Sequence, residues 1–287
     1  MADGDDLLAD FKVAIVGLGL MGGSLALALK GRCKALYGLD SVGETLSQAA
    51  RLGVLDQLGQ DPKEIFPLAD VIILAAPVSV IIEYLLRLPE IHPGGAMILD
   101  IGSTKADIVR RMGDLPPRFD PIGGHPMCGK EVSGLTNADA GLFQGATFAF
   151  TPLERTSTRL RSFCSQLAAA IGAQPLWIAP DVHDLWTAAT SHVPYLLSNT
   201  LAATTPLEAA SLVGPGFRST ARLAAASPRM MRDILATNAP NVLMSIAGFK
   251  SRLEQVESLI RENDLDALEA LLAMAADQYR TLISSRS

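Results

Sequence analysis

The chain of 287 residues is poor in cysteine, with only Cys33, Cys128 and Cys164 and no CxxC pair among them. So few and so scattered, they exclude a disulfide framework and a cysteine zinc site, and no metal is expected. A reducing compartment suits them, so a cytoplasmic location is expected. Positive charge is also short: 24 Lys and Arg against 30 Asp and Glu leave a formal charge of −6. Such a surface does not suit nucleic acid or an anionic membrane, both of which attract basic proteins. An anionic small molecule would have to be gripped by individually placed Arg or Lys. No long hydrophobic run is present; the longest, residues 71–82, is broken by Pro77 and is too short to span a bilayer. The first six residues, Met1 to Asp6, are acidic and unlike a secretory signal. Internal repeats and low-complexity tracts are missing too. What remains is a chain 49% hydrophobic, ample for one large domain or two modest ones.

Gly17-Leu18-Gly19-Leu20-Met21-Gly22 is the most informative stretch. Phe11 to Val16 before it reads as a buried strand, and Gly23 to Lys30 after it as a helix closed by Gly31. In a strand–loop–helix of this kind one glycine makes the turn, one admits a pyrophosphate and one lets the helix pack on the strand. The anion then rests on a helix N-terminus. A second strand, Ala35 to Leu39, ends in Asp40, at the distance where a carboxylate receives the adenosine ribose hydroxyls. It would repel a 2′-phosphate, and Ser41 to Glu44 supply no cation to bind one. NAD is therefore expected rather than NADP, although Asp40 could also cap the helix starting near Val42.

Short apolar runs continue to alternate with helical patterns: Asp70 to Pro77, Ala96 to Asp100, Phe119 to Gly123, Thr147 to Phe150 and Gln174 to Ile178 read as strands of a parallel sheet. From Pro180 onward only helices are expected, at 182–203, 228–236, 241–262 and 265–283. The fold class predicted is α/β: a Rossmann-type dinucleotide-binding domain over 1–179, followed by an all-α domain over 180–287. Ligands of open α/β sheets sit beyond the carboxyl ends of the strands. The chemistry is thus expected in the loops after Leu74, Leu99 and Ile122. Ala76, Pro77 and Ser103 join Gly17, Gly19, Leu20, Met21, Gly22 and Asp40 as expected cofactor contacts.

The loop after Ile122 carries His125 between two glycines and Pro126. Histidine alone titrates unperturbed near neutrality, which suits it to accept an alcohol proton as hydride departs. Ser103 could hold the same hydroxyl, or cap the helix that follows it. Cys128, close by, is not expected to pair with His125 as a nucleophile. In the helical part, Gly214-Pro215-Gly216 leads into Arg218 and Arg222, four residues apart and so on one face of a helix. Arginine is the natural partner of a carboxylate.

Taken in order, the segments Gly17–Gly22, Ser103–Lys105, Gly123–Met127, Ser191–Pro194 and Gly216–Arg222 resemble those of the prephenate/arogenate dehydrogenases of tyrosine biosynthesis. The resemblance spans essentially the whole chain, and Gly-Gly-His-Pro-Met is its most specific part. It implies NAD-dependent oxidative decarboxylation of prephenate to 4-hydroxyphenylpyruvate, CO2 and NADH, or the corresponding reaction of arogenate, with homodimerisation through the helical domain. It also implies His125 as catalytic base assisted by Ser103, Arg222 at the substrate carboxylate, and His192 in the pocket; Arg218 is expected either to support Arg222 in substrate binding or to serve the structure. Many members carry a second histidine where this chain has Tyr195, which alters the polar contacts available. Lys130 and Glu131 have opposite preferences for the keto and ammonium side chains of the two substrates, and the sequence leaves open which points inward. A β-hydroxyacid dehydrogenase or imine reductase of similar build, and a non-catalytic NAD sensor, are the competing readings. The first usually places a lysine on a helix of the second domain, where this chain has only Lys250.

Overall fold

A computed structural model describes residues 7–284. The apolar runs form β1 (Lys12–Val16), β2 (Ala35–Leu39), β3 (Gln57–Gly59), β4 (Val71–Leu74), β5 (Met97–Asp100), β6 (Asp120–Pro126), β7 (Thr147–Pro152) and β8 (Gln174–Trp177). They make one sheet in the order β3-β2-β1-β4-β5-β6-β7-β8. Every residue of β4 and β5 is buried, as expected of central strands covered on both faces. Covering them are α1 (Leu20–Leu29), α2 (Gly43–Leu52), α3 (Pro62–Ile65), α4 (Val78–Ile91), α5 (Ala106–Gly113) and α6 (Thr158–Ala170). Leu25, Ala49 and Leu160 from α1, α2 and α6 build the core on one face of the sheet. Ile81 and Ile108 from α4 and α5 build it on the other. β3 and α3 were not foreseen; three residues are too few to carry a period.

Two further differences bear on the site. The sheet is not wholly parallel: β6 and β7 are antiparallel, and β8 runs with β7. No crossover helix separates β6 from β7, only a short helical turn at Leu135–Asn137, and a parallel return needs such a crossover. Second, β6 is longer than expected. It pairs with β5 as far as Ile122 opposite Leu99, and then continues alone against β7, with His125 opposite Ala149. His125 is therefore held on a strand, not in a loop. Gly124 permits this course, because a Cβ there would come within 2.7 Å of the Asp100 carbonyl oxygen.

After β8 come α7 (Pro180–Thr187), α8 (Val193–Thr204), α9 (Pro215–Ala221), α10 (Pro228–Thr237), α11 (Ala239–Glu262) and α12 (Leu265–Ser284). The single helix expected over 182–203 is interrupted by a π-helical turn, Ala188–His192. Such turns cluster at functional positions. The change to all-helical structure falls at Pro180, while compact packing divides the chain after Ala239. The reason is visible in Asp184, whose carboxylate accepts the backbone N–H groups of Lys105 and Ala106 at 2.7 and 2.8 Å. The second unit, α11 and α12, exposes Leu243, Phe249, Leu253 and Leu272. Among the described residues no helix is long and apolar enough to cross a membrane.

Candidate active site

The register aligns the carboxyl ends of β1, β4 and β5, pairing Val16 with Leu74 and Leu74 with Asp100. Beyond those ends lies a cavity of about 420 Å³. Gly19, Leu20, Met21, Ala76, Pro77, Ser103, His125 and His192 all line it. Ser103 and His125, expected as the catalytic pair, thus share one cavity with the expected cofactor contacts.

The glycine loop meets the requirements of a pyrophosphate cradle. Gly17 has φ +89°, and a Cβ on it would lie 2.5 Å from the Ala75 carbonyl oxygen. Gly19 faces open space, and no side chain caps α1, so the first N–H groups of the helix remain available to an anion. A Cβ on Gly22 would collide with the Gly17 carbonyl. Asp40 braces the loop by accepting Leu18 N–H at 2.7 Å and holds Val42 N–H at 2.9 Å. The latter bond closes a turn two residues on, before α2 begins, and no side chain caps that helix, so Asp40 is not its cap; each oxygen still keeps a lone pair for ribose. When bound here, NAD supplies the hydride acceptor.

His125 sits against a buried polar cluster. Its Nδ1 is 3.0 Å from His183 Nε2, and His183 Nδ1 is 2.8 Å from Asp184 Oδ1. Lys105, fully buried, pairs with Asp100 and donates to the Gly124 carbonyl at 2.6 Å, pinning β6 immediately before His125. Asp100 in turn accepts Gly102 N–H at 2.8 Å and Gly124 N–H at 3.2 Å. Burial draws Lys105 below the usual lysine range and raises Asp100, while their mutual attraction opposes both shifts. His125 is pushed well below the ordinary histidine value, first by burial and then by its coupling to the ionisable groups facing it, His183, Lys105 and His192, beside which a further positive charge is disfavoured. It is consequently neutral, hence able to accept a proton, at physiological pH. Burial also lowers His192, to about 4.

Ser103 does not cap α5. That helix starts at Ala106, and Asp184 from α7 supplies the capping carboxylate. This leaves the Ser103 hydroxyl to the cavity. Burial raises the Cys128 thiol to about 11, so it is no nucleophile. Lys130 lines the cavity, and its Nζ pairs with Asp139 at 3.2 Å. Tyr195 does not line the cavity; it packs with Met231 and Ile234. Arg218 lies on exposed α9 and Arg222 just past its end, also outside the cavity lining. Arg222 is ion-paired with Glu131, the neighbour of Lys130. Sequence reasoning passed over Asp184, Asn238 and Asp233. Nothing local marks them, since each acts on a partner remote in the chain.

A doubly wound sheet, a glycine-rich first turn and a neutral histidine at the strand ends define an NAD-dependent dehydrogenase. Family models place it more closely: one described as "Prephenate dehydrogenase, nucleotide-binding domain" matches residues 25–175, and one described as "Prephenate dehydrogenase, dimerization domain" matches 179–274. The chain belongs to the prephenate dehydrogenase family. It is 31% identical to the prephenate dehydrogenase of Bacillus subtilis, over 93% of this chain and 75% of that protein. It is 28% identical to the cyclohexadienyl dehydrogenase of Zymomonas mobilis, over 89% of this chain and 90% of that one. Among solved structures, the Aquifex aeolicus prephenate dehydrogenase in complex with hydroxyphenyl propionate and NAD+ superposes with a TM-score of 0.86 at 29% identity, covering 94% of this chain and 98% of the other.

Proposed function

We propose that the chain oxidatively decarboxylates prephenate with NAD, giving 4-hydroxyphenylpyruvate, CO2 and NADH. The observation that carries this is the position of His125: neutral, on a strand end, and lining with Ser103 the cavity that the glycine loop enters. His125 takes the proton of the ring alcohol as hydride leaves the same carbon. Ser103 holds the hydroxyl. Loss of CO2 makes the ring aromatic, so the protein need only bind the carboxylate, exclude water and align the reacting atoms. Arg222 binds that carboxylate once Glu131 releases it. Their pair is exposed and contributes at most about 1 kcal/mol, so a substrate carboxylate displaces it at little cost.

Lys130, rather than Glu131, lines the cavity, and a cation there favours the side chain of prephenate over the ammonium of arogenate. The arogenate reading has support as well, because Asp233 also lines the cavity. The working division is a nucleotide-binding part over 1–179 and a substrate-binding and dimerising part over 180–287. Apolar side chains exposed on α11 and α12 support assembly as a homodimer. A cytoplasmic enzyme is consistent with a chain that has only three cysteines and no CxxC pair. Steady-state kcat/KM for prephenate and for arogenate, each with NAD, tests the reading. A protein that reduces no NAD with either substrate refutes it.

A further inference from the structure

Behind His125 lies a chain of hydrogen bonds whose directions can be assigned from one end. Asp184 accepts two backbone N–H groups, those of Lys105 and Ala106. Backbone nitrogens can only donate, so both oxygens of this buried carboxylate serve as acceptors. Its Oδ1 also faces His183 Nδ1 at 2.8 Å, which must then be the protonated nitrogen of that ring. A ring that donates from Nδ1 to a carboxylate offers Nε2 as its acceptor, and 3.0 Å from Nε2 stands His125 Nδ1. That nitrogen can only be the donor. The proton-accepting lone pair of His125 is thereby confined to Nε2, on the edge of the ring away from His183.

We propose that His183 is a positioning residue for the reaction: backed by Asp184, it locks His125 in the Nδ1–H tautomer and so presents Nε2 to the substrate hydroxyl. The proposal rests on His125 being the base. When Nε2 takes the alcohol proton, Nδ1–H keeps donating to His183, and the imidazolium formed has an acceptor already in place. No proton passes to Asp184, whose part is to fix the His183 tautomer. The logic matches that of the catalytic triads, in which a carboxylate sets the orientation and tautomer of the base. Here a second imidazole stands between the two. The ionisable groups facing His125 are His183, Lys105 and His192, from three different segments, with Asp100 compensating Lys105. His183 is the one among them joined to the ring by a hydrogen bond.

Only four histidines occur in the chain, which makes the lock directly observable. In protein labelled with 15N-histidine, signals are assigned from single His→Gln variants, and the nitrogen shifts report the tautomer of each ring. The expected result is Nδ1–H for both His125 and His183 in the unmodified protein at neutral pH. His183→Phe, which keeps a ring but no acceptor, should release His125 into mixed tautomers. It should lower kcat about ten- to a hundred-fold, the range for loss of a group that orients a functional imidazole, with KM and NAD affinity little changed. His183→Gln, whose side-chain carbonyl can accept, should recover most of that loss. Should His183→Phe fail to fold, the tautomer in the unmodified protein decides by itself. His125 found as Nε2–H overturns the proposal, as does a His183→Phe protein with unaltered tautomer and kcat. A His125→Ala protein that retains its kcat removes the base assignment instead, and leaves the tautomer measurement standing.

Discussion

Asn238 fixes the protonation of His192. Its amide nitrogen donates to the Asp184 carbonyl at 2.7 Å, which sets the orientation of the amide, and lies 3.2 Å from His192 Nδ1. Nδ1 of His192 must therefore accept, and the ring proton sits on Nε2. His192 lines the cavity as a neutral hydrogen-bond donor, with its pKa lowered to about 4. His125 and His192 thus present opposite functions, an acceptor and a donor, although both rings are neutral.

The shift at His192 has a consequence for stability. Between about pH 6.5 and pH 4 the unfolded chain binds a proton at this position and the native protein does not, so stability falls as pH is lowered through that window. The contribution of His192 to that fall is about 3 kcal/mol. Denaturant unfolding across the window should show a shallower loss for His192→Gln than for the unmodified protein. Parallel curves would mean that His192 is not held neutral.

His125→Ala should lower kcat by about two to four orders of magnitude, the contribution typical of general acid–base catalysis. NAD affinity should barely move. In the unmodified enzyme, activity should fall on the acid side as His125 is protonated, with the midpoint below 6.5 because burial lowers this group. An acid limb above 6.5 would contradict the buried, neutral base.

Asp40 should set the choice of dinucleotide. Asp40→Ser removes the clash with a 2′-phosphate and should narrow the preference for NAD over NADP. It also removes the acceptor for Leu18 N–H, so NAD itself should bind more weakly. Equal use of NAD and NADP by the unmodified protein would show that Asp40 exerts no such selection.

Arg222 and Glu131 should behave as a matched pair in binding. Arg222→Ala should raise KM about ten- to a hundred-fold, the worth of a charged hydrogen bond to a carboxylate. Arg222→Lys should recover only part of this, because an ammonium lacks the two-pronged geometry. Glu131→Gln frees Arg222 of its competitor and should lower KM. A rise in KM for Glu131→Gln would place the substrate carboxylate elsewhere.

Much of the fold was legible because its causes are local. Apolar runs and glycine turns named six of the eight strands closely, and Gly17 to Gly22 announced the dinucleotide site in one stretch of chain. Short elements escaped: Gln57–Gly59 is too brief to show a period. The strand expected to stop at Gly123 runs on to Pro126 because β7 lies beside it, and a glycine pair gives no hint of that neighbour.

Residue types alone singled out His125 and Ser103 as chemistry-bearing, and the cavity contains both. What surrounds them came only with tertiary structure. Asp184 caps a helix that begins 78 positions before it, and His183 meets His125 across 58 positions. The sequence by itself marked most strands, the nucleotide loop and the candidate histidine, since period, turn and side-chain chemistry act within a few residues. Which nitrogen of that histidine is free, which carboxylate caps α5 and where Arg222 rests were decided by packing alone, because hydrogen bonds between distant segments exist only once the folded chain has brought donor and acceptor within about 3 Å of each other.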